Sequence, residues 1–123
     1  MVKRKILVVD DEFELVKAIQ IRFEQAGYEV LFAYDGQEGL EKAQKENPDL
    51  ILLDLMLPKI DGYKVCRMLK FDEKYKKIPI IMLTARAQES DAKLGFDTGA
   101  DAFMTKPFQH EEVLAKIKEL LKE

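Results

Sequence analysis

Five short, almost wholly apolar runs alternate with five segments of helical periodicity, and this alternation limits the possible folds more than any other feature of the sequence. The run Leu-Ile-Leu-Leu at residues 50–53 contains no polar position, which is typical of a strand buried on both faces of a parallel sheet. Strands interleaved with helices pair in parallel through right-handed crossovers, so that helices cover both faces of the sheet. The sequence therefore predicts an α/β fold.

The expected sheet is open and doubly wound, because five strand–helix units are too few for an eight-stranded barrel. Among the common strand orders, the flavodoxin-like order 2-1-3-4-5 suits five parallel strands. Strands are predicted at 6–9, 29–33, 50–53, 79–83 and 102–105, and helices at 13–26, 36–46, 63–70, 88–98 and 109–121. Asp35 is predicted to cap the second helix, and Gly27 and the Asn47-Pro48 pair to end the first and second helices.

The composition is that of a globular chain, with 47% hydrophobic and 35% charged residues. No linker, repeat or low-complexity segment divides the sequence, so we expect a single domain over residues 1–123. The net charge is −3 and the basic residues are scattered, which predicts no direct contact with nucleic acid. The apolar run after the basic amino terminus is too short for a signal peptide or a membrane span. Because Cys66 is also the only cysteine, we expect a cytoplasmic protein without membrane insertion or disulfides.

Charged and hydroxyl side chains follow four of the five predicted strands, at the edge where the carboxyl ends of parallel strands meet. They are Asp10 and Asp11 after the first strand, Asp54 after the third, Thr84 after the fourth and Lys106 after the fifth. Three carboxylates in one place repel each other unless a cation joins them, and a hard divalent ion such as Mg²⁺ prefers oxygen ligands. A carboxylate nucleophile, a metal ion, a hydroxyl and an ammonium together suit phosphoryl transfer through an aspartyl phosphate.

Each of these residues also has an ordinary structural explanation when it is taken singly. The two aspartates after the first strand could merely cap the first helix, and Asp54 could end a strand and begin a turn. Thr84 could be an ordinary strand residue, and Lys106 a solvated surface charge. Chance would have to place all five residues at one edge of one sheet, so their joint placement favours the functional interpretation.

The same positions resemble the receiver domain of two-component response regulators. The matching motifs are Val9-Asp10-Asp11, Leu53-Asp54 with Pro58 and Gly62, Thr84-Ala85, and Lys106-Pro107. They occur in the family's order, and the resemblance extends over essentially the whole chain. It implies a phosphorylatable signalling switch that catalyses its own phosphorylation and its slow hydrolysis, rather than a conventional enzyme.

By this resemblance Asp54 is the phosphoacceptor. Its phosphoryl group is expected to come from a phosphohistidine on a sensor histidine kinase or from a phosphotransfer protein. Asp10 and Asp11 hold Mg²⁺ (or Mn²⁺) together with Asp54, and the backbone carbonyl of Met56 is implied as a further ligand.

The resemblance also assigns roles to the ends of the fourth and fifth strands. Lys106 is implied to pair with the phosphoryl oxygens, and its peptide bond to Pro107 is expected to be cis. Thr84 and Phe103 match the family's switch pair, in which the hydroxyl moves toward the phosphate and the aromatic ring turns inward. This change is expected to reshape the face of the fourth helix, fifth strand and fifth helix, and so to control an unknown downstream protein.

Positions at which the family varies give mixed indications. Met56 and Arg86 resemble a pair common in regulators that carry a winged-helix output domain, and Arg86 could shield the phosphoaspartate from water. Ala92 and Ala102 stand where the charged partners of a dimer face are expected in that branch, so we expect a monomer or a weak, phosphorylation-dependent dimer. We prefer a stand-alone receiver, because the chain contains no winged-helix segment. A receiver within a longer regulator would show the same pattern.

Two other functions compete with the receiver interpretation. Phosphatases of the haloacid dehalogenase type share a nucleophilic aspartate at a strand end, but they place a second aspartate two residues later, where this chain has Met56. They also need a cap region that the sequence lacks. A pseudo-receiver, which binds a partner without carrying phosphate, is disfavoured by the intact set of carboxylates and Lys106.

Overall fold

The computed structural model of the chain describes residues 3–85 and 98–123. These residues form five strands, β1 (Lys5–Val9), β2 (Glu29–Ala33), β3 (Leu50–Asp54), β4 (Ile80–Thr84) and β5 (Ala102–Thr105). They also form four helices, α1 (Phe13–Gln25), α2 (Gly36–Glu46), α3 (Gly62–Lys70) and α4 (His110–Leu121). The predicted bounds of these elements agree with the structure to within one residue. The helix predicted at 88–98 falls almost wholly outside the described residues, as do Arg86 and Ala92.

All five strands are parallel and form one sheet in the order β2-β1-β3-β4-β5, which confirms the predicted topology. The register places Val9 beside Leu53 and Asp54 beside Leu83. Thr84 lies beside Thr105 at the next pair of strands. The carboxyl ends of β1, β3, β4 and β5 therefore lie at one edge of the sheet, with β1 and β3 adjacent where the strand order reverses.

Two hydrophobic layers cover the sheet, and alternate residues of the inner strands point into each layer. The layer beneath α1 and α4 contains the buried side chains of Ile6, Val8, Leu50, Leu52, Val16, Ile19, Phe23, Val113 and Ile117. The layer beneath α2 and α3 contains those of Leu7, Val9, Ile51, Leu53, Leu40, Ala43, Val65, Cys66 and Leu69. Strands β1 and β3 are thus buried on both faces, which is why their sequences are apolar without alternation. Within the described residues no helix combines the length and the apolarity that a membrane span requires.

The segment between β3 and α3 turns back against the end of β3 so closely that no side chain fits there. A Cβ atom on Gly62 would lie 1.9 Å from the backbone carbonyl oxygen of Asp54. The Gly62 N–H donates to the Leu55 carbonyl at 2.9 Å, and the carboxylate of Asp61 caps α3 by accepting from the Lys64 N–H at 2.8 Å. Glycine at position 62 therefore permits the backbone approach that fixes the surroundings of Asp54.

Replacing this glycine with alanine tests the backbone contact directly. We expect Gly62→Ala to lower the free energy of unfolding by about 3 kcal/mol, because the added methyl group forces the chain away from the end of β3. Gly27→Ala is the matched control, since Gly27 has a φ of 98° but no atom within 4 Å of an added Cβ. That variant should lose only about 1 to 2 kcal/mol, the cost of a left-handed backbone. Equal losses in urea unfolding of the two variants would contradict the steric account.

Candidate functional site

Two buried aspartates and one exposed aspartate converge where β1 and β3 end. Asp10 follows β1 and is fully buried, Asp54 is the last residue of β3 and is also buried, and Asp11 is exposed. One carboxylate oxygen from each lies within 4.8 Å of the others. The pairing of β1 with β3 brings Asp54 close to Asp10 and Asp11, from which it is separated by more than forty positions in the sequence.

Local backbone hydrogen bonds orient the two buried carboxylates. Asp10 Oδ1 accepts from the Glu12 N–H at 2.9 Å, and Asp54 Oδ1 accepts from the Met56 N–H at 3.2 Å. In both cases the donor is two residues further along, which is the pattern of an aspartate at the start of a turn. The second oxygen of each carboxylate is therefore left to face the centre of the site.

Lys106 supplies the positive charge at this centre. Its Nζ lies 2.7 Å from Asp10 Oδ2 and 3.3 Å from both Asp54 Oδ2 and Glu12 Oε1. Its backbone N–H donates to the Thr84 carbonyl at 2.6 Å, which extends the pairing of β4 and β5 by one residue. The bond between Lys106 and Pro107 is cis, the isomer that the resemblance implies.

The remaining predicted residues lie at different distances from this centre. Thr84 ends β4 and is buried, one residue beyond the position that pairs with Asp54. Phe103 lies on β5, three residues before Lys106, and packs against the hydrophobic layer beneath α2 and α3. The side chain of Met56 is exposed to solvent beside the site. The structure thus joins Asp10 and Asp54 directly to Lys106.

Glu12 is a member of the site that the sequence reasoning missed. An acidic residue just before a helix has an ordinary explanation as a helix cap. Here the Glu12 side chain makes no capping hydrogen bond to α1 and lies near Lys106 instead. The signal in the sequence was the third consecutive acidic residue after β1, opposite a predicted lysine.

Burial and neighbouring charges set the protonation of the site. Burial raises the pKa of Asp54 to about 6, and the negative charge of Asp10 adds to this, while Lys106 acts in the opposite direction. For Lys106, burial by itself lowers the pKa, but hydrogen bonding and charge from Asp10, with the charges of Asp54 and Glu12, raise it overall. Lys106 is therefore protonated at neutral pH, and Asp54 ionises only at a higher pH than an exposed aspartate.

The donor set fits a hard divalent cation. Asp10, Asp11 and Asp54 offer oxygen ligands, and Lys106 compensates only one of their negative charges. Asp10 Oδ2 is buried and lies 2.7 Å from the Lys106 ammonium, so a metal ion that binds this oxygen has to compete with Lys106 for it.

Comparison with known proteins assigns the family. The family model described as response regulator receiver domain matches residues 6–118. The chain belongs to this family. It is 50% identical over 119 residues to the alkaline phosphatase synthesis transcriptional regulatory protein PhoP of Bacillus subtilis, covering 97% of this chain and 49% of that protein. It is 48% identical over 118 residues to the DNA-binding dual master transcriptional regulator RpaA of Synechocystis, covering 96% of this chain and 49% of that one.

Solved receiver structures have the same fold. A putative response regulator from Chloroflexus aurantiacus superposes with a TM-score of 0.93 at 34% identity, covering 99% of this chain and all of that one. The receiver domain of the sensor histidine kinase PA1611 from Pseudomonas aeruginosa superposes with a TM-score of 0.91 at 29% identity, with coverage of 99% and 100%. That structure is described with a magnesium ion coordinated in its active-site cleft. Receiver domains bind Mg²⁺ at an acidic cluster of the kind formed here by Asp10, Asp11 and Asp54.

The relatives also correct one expectation from the sequence. The scattered basic residues predict no direct contact with nucleic acid, whereas the curated relatives are transcriptional regulators and one of them is described as DNA-binding. The chain spans about half the length of these relatives. The charge pattern of these residues concerns the receiver alone and does not describe the remaining half of those relatives.

The raised pKa of Asp54 predicts a pH dependence of stability in the absence of metal. The Asp54 carboxyl ionises near pH 3.8 in the unfolded chain but only near pH 6 in the folded chain. The free energy of unfolding therefore falls as the pH rises from about 4 through 6. Asp54→Asn removes this penalty. The free energy of unfolding of the variant should therefore exceed that of wild type only slightly at pH 4 and by about 2 kcal/mol at pH 8, after allowance for solvent screening. Urea unfolding in the presence of a chelator measures this difference in free energy of unfolding. A difference that does not vary with pH would contradict the raised pKa of Asp54. Excess Mg²⁺ should reduce the difference at pH 8.

Proposed function

We propose that the protein is a phosphorylation-dependent signalling switch that accepts a phosphoryl group on Asp54. The observation that carries the proposal is the convergence of Asp54 with Asp10, Asp11 and Lys106 at one edge of the sheet. Membership of the receiver family supports it. The donor is a phosphohistidine on a sensor histidine kinase or a phosphotransfer protein.

The chemistry follows from the charges at this edge. The ionised Asp54 carboxylate attacks phosphorus, the P–N bond of the phosphohistidine breaks, and the imidazole leaves with a proton taken from its surroundings. In the structure Asp54 Oδ1 accepts from the Met56 N–H at 3.2 Å and Asp54 Oδ2 accepts from the Lys106 ammonium at 3.3 Å. Lys106 then neutralises negative charge on the transferred group.

Magnesium is the cofactor that we assign to this site, with Mn²⁺ as a substitute. Asp10, Asp11 and Asp54 would hold it, together with the backbone carbonyl of Met56. The ion supplies Lewis-acid stabilisation of the charge that develops on the phosphoryl oxygens.

Phosphorylation acts as a switch through β4 and β5. A phosphoryl group adds up to two negative charges and three strong acceptor oxygens next to Thr84, and its hydroxyl moves toward them. The space that this movement leaves admits the ring of Phe103, which lies on the neighbouring strand β5 and turns inward. The surface changed is that of β5, α4 and the helix predicted before β5, where a downstream protein binds. Met56 and Arg86 modulate the lifetime of the phosphorylated state.

The wider context of the switch is also part of the proposal. Residues 1–123 form one receiver domain, acting in the cytoplasm as a monomer or a weak, phosphorylation-dependent dimer. Because the curated relatives are transcriptional regulators of about twice this length, control of transcription is the output we assign to a longer regulator containing this receiver. In the absence of an output domain for transcription, the switch signals by docking a downstream protein.

Intact-mass analysis after incubation with acetyl phosphate and Mg²⁺ tests the phosphoacceptor. We expect one phosphate adduct on wild type and none on Asp54→Asn or in the presence of a chelator. Asp61→Asn is the matched control, because Asp61 is an exposed cap of α3 and asparagine caps a helix equally well. This variant should be phosphorylated like wild type.

Two outcomes would contradict the proposal. An adduct that persists in Asp54→Asn would place the phosphoacceptor elsewhere. No adduct on folded wild type under any condition would favour a receiver-like binding module that carries no phosphate.

A further inference from the structure

The carboxylate of Glu12 lies near Lys106 and is far more exposed than the two aspartates that pair with the same lysine. Its Oε1 is 3.3 Å from Lys106 Nζ, and its side chain is 60% exposed, whereas those of Asp10, Asp54 and Lys106 are 0%, 7% and 12% exposed. Glu12 and Lys106 also line the same open groove of about 450 Å³. The Lys106 ammonium is therefore held between two buried carboxylates and one carboxylate at the solvent boundary.

The backbone explains why Glu12 is available for this contact. Its N–H donates to Asp10 Oδ1 at 2.9 Å, which ties the residue to the buried aspartate that pairs with Lys106. Its side chain makes no capping hydrogen bond to α1, although Glu12 is the residue at the cap position. The main chain of Glu12 thus orients Asp10, and its carboxylate reaches the same ammonium from outside.

We propose that Glu12 is a positioning residue. Its carboxylate offers the Lys106 ammonium a second ion-pair partner at the solvent-exposed entrance of the site, and so limits the rate at which Asp54 is phosphorylated. This inference rests on the proposed phosphotransfer function. Lys106 pairs most closely with Asp10, which is also a proposed metal ligand, and a metal ion and an ammonium repel each other at one carboxylate. By attracting Lys106 outward, Glu12 favours release of Asp10 to the metal.

The same attraction opposes the next requirement of the site. Lys106 has to leave Glu12 to pair with phosphoryl oxygens, and an anionic phosphodonor is repelled by the Glu12 carboxylate as it arrives. Glu12 therefore assists metal binding and retards phosphoryl transfer. These opposite signs distinguish a positioning role from a merely structural one, because a damaged fold would weaken both processes.

The test compares Glu12→Gln with wild type in two measurements. At saturating Mg²⁺ and low ionic strength, we expect acetyl phosphate to phosphorylate the variant about two to five times faster, the range of an exposed ion pair. The gain should shrink as salt is added, because exposed charges are screened. Mg²⁺ affinity, measured by calorimetry without a phosphodonor, should fall by a similar factor. A variant with the wild-type rate and the wild-type affinity, or one that is slower in phosphorylation, would overturn the proposal.

Two further variants separate contact from charge. Glu12→Asp keeps the charge on a side chain one methylene shorter, so it should resemble Glu12→Gln if the contact with Lys106 matters. If it resembles wild type, the positioning role is wrong. Glu14→Gln removes an exposed acidic residue from the same first turn of α1 and should match wild type in both measurements. If it changes both measurements as Glu12→Gln does, general charge rather than position is responsible.

The calorimetric measurement keeps this inference distinct from the function on which it rests. Failure of wild type to accept phosphate would overturn the proposed function, yet the metal affinities of the variants would still report on the hold of Glu12 on Lys106. Normal phosphorylation of wild type with no effect of Glu12→Gln would instead leave the function intact and remove Glu12 from the mechanism.

Discussion

One ammonium group shared by three carboxylates is the interaction on which the site depends. Taking Asp10 and Asp54 out of water costs free energy, and Lys106 offsets only part of that cost, as the raised pKa of Asp54 shows. Such a cluster is a poor device for stability, since apolar residues of similar size would fill the same space more favourably. The cluster contains more carboxylates than ammonium groups. This excess negative charge is suited to binding a cation, and a bound cation can in turn attract an anion.

The hydrophobic layers make this unfavourable cluster possible. Strands β1 and β3 are buried on both faces by leucine, isoleucine and valine, so their ends are held in register by packing rather than by the charged residues themselves. The cluster is then a local exception at the edge of a well-packed sheet. Lys106 is also joined to the neighbouring strand, because its N–H donates to the carbonyl of Thr84.

Much of the fold could be predicted from the sequence, because burial on both faces leaves a distinctive pattern. The uninterrupted apolar runs at β1 and β3 identify central parallel strands, and the parallel arrangement then brings Asp10, Asp54 and Lys106 to one edge. The finer geometry could not be predicted in this way. That Lys106 lies closer to Asp10 than to Asp54, and that Glu12 joins them, depends on side-chain conformations within differences of less than 1 Å. The clash that an added Cβ at Gly62 would make also depends on tertiary contacts that the sequence pattern does not specify.

The difference in burial between the acidic residues explains how their roles divide. Asp10 is fully buried, accepts a backbone hydrogen bond and pairs with the Lys106 ammonium. Asp11, although next to it, is exposed and would lose less solvation than Asp10 on binding a cation. Glu12 lies at the solvent boundary and has a longer side chain, so it can hold or release Lys106 without uncovering a buried charge. Three consecutive acidic residues thus lie in three different environments: buried, exposed, and at the solvent boundary beside Lys106. The path of the backbone between β1 and α1 determines which residue lies in which.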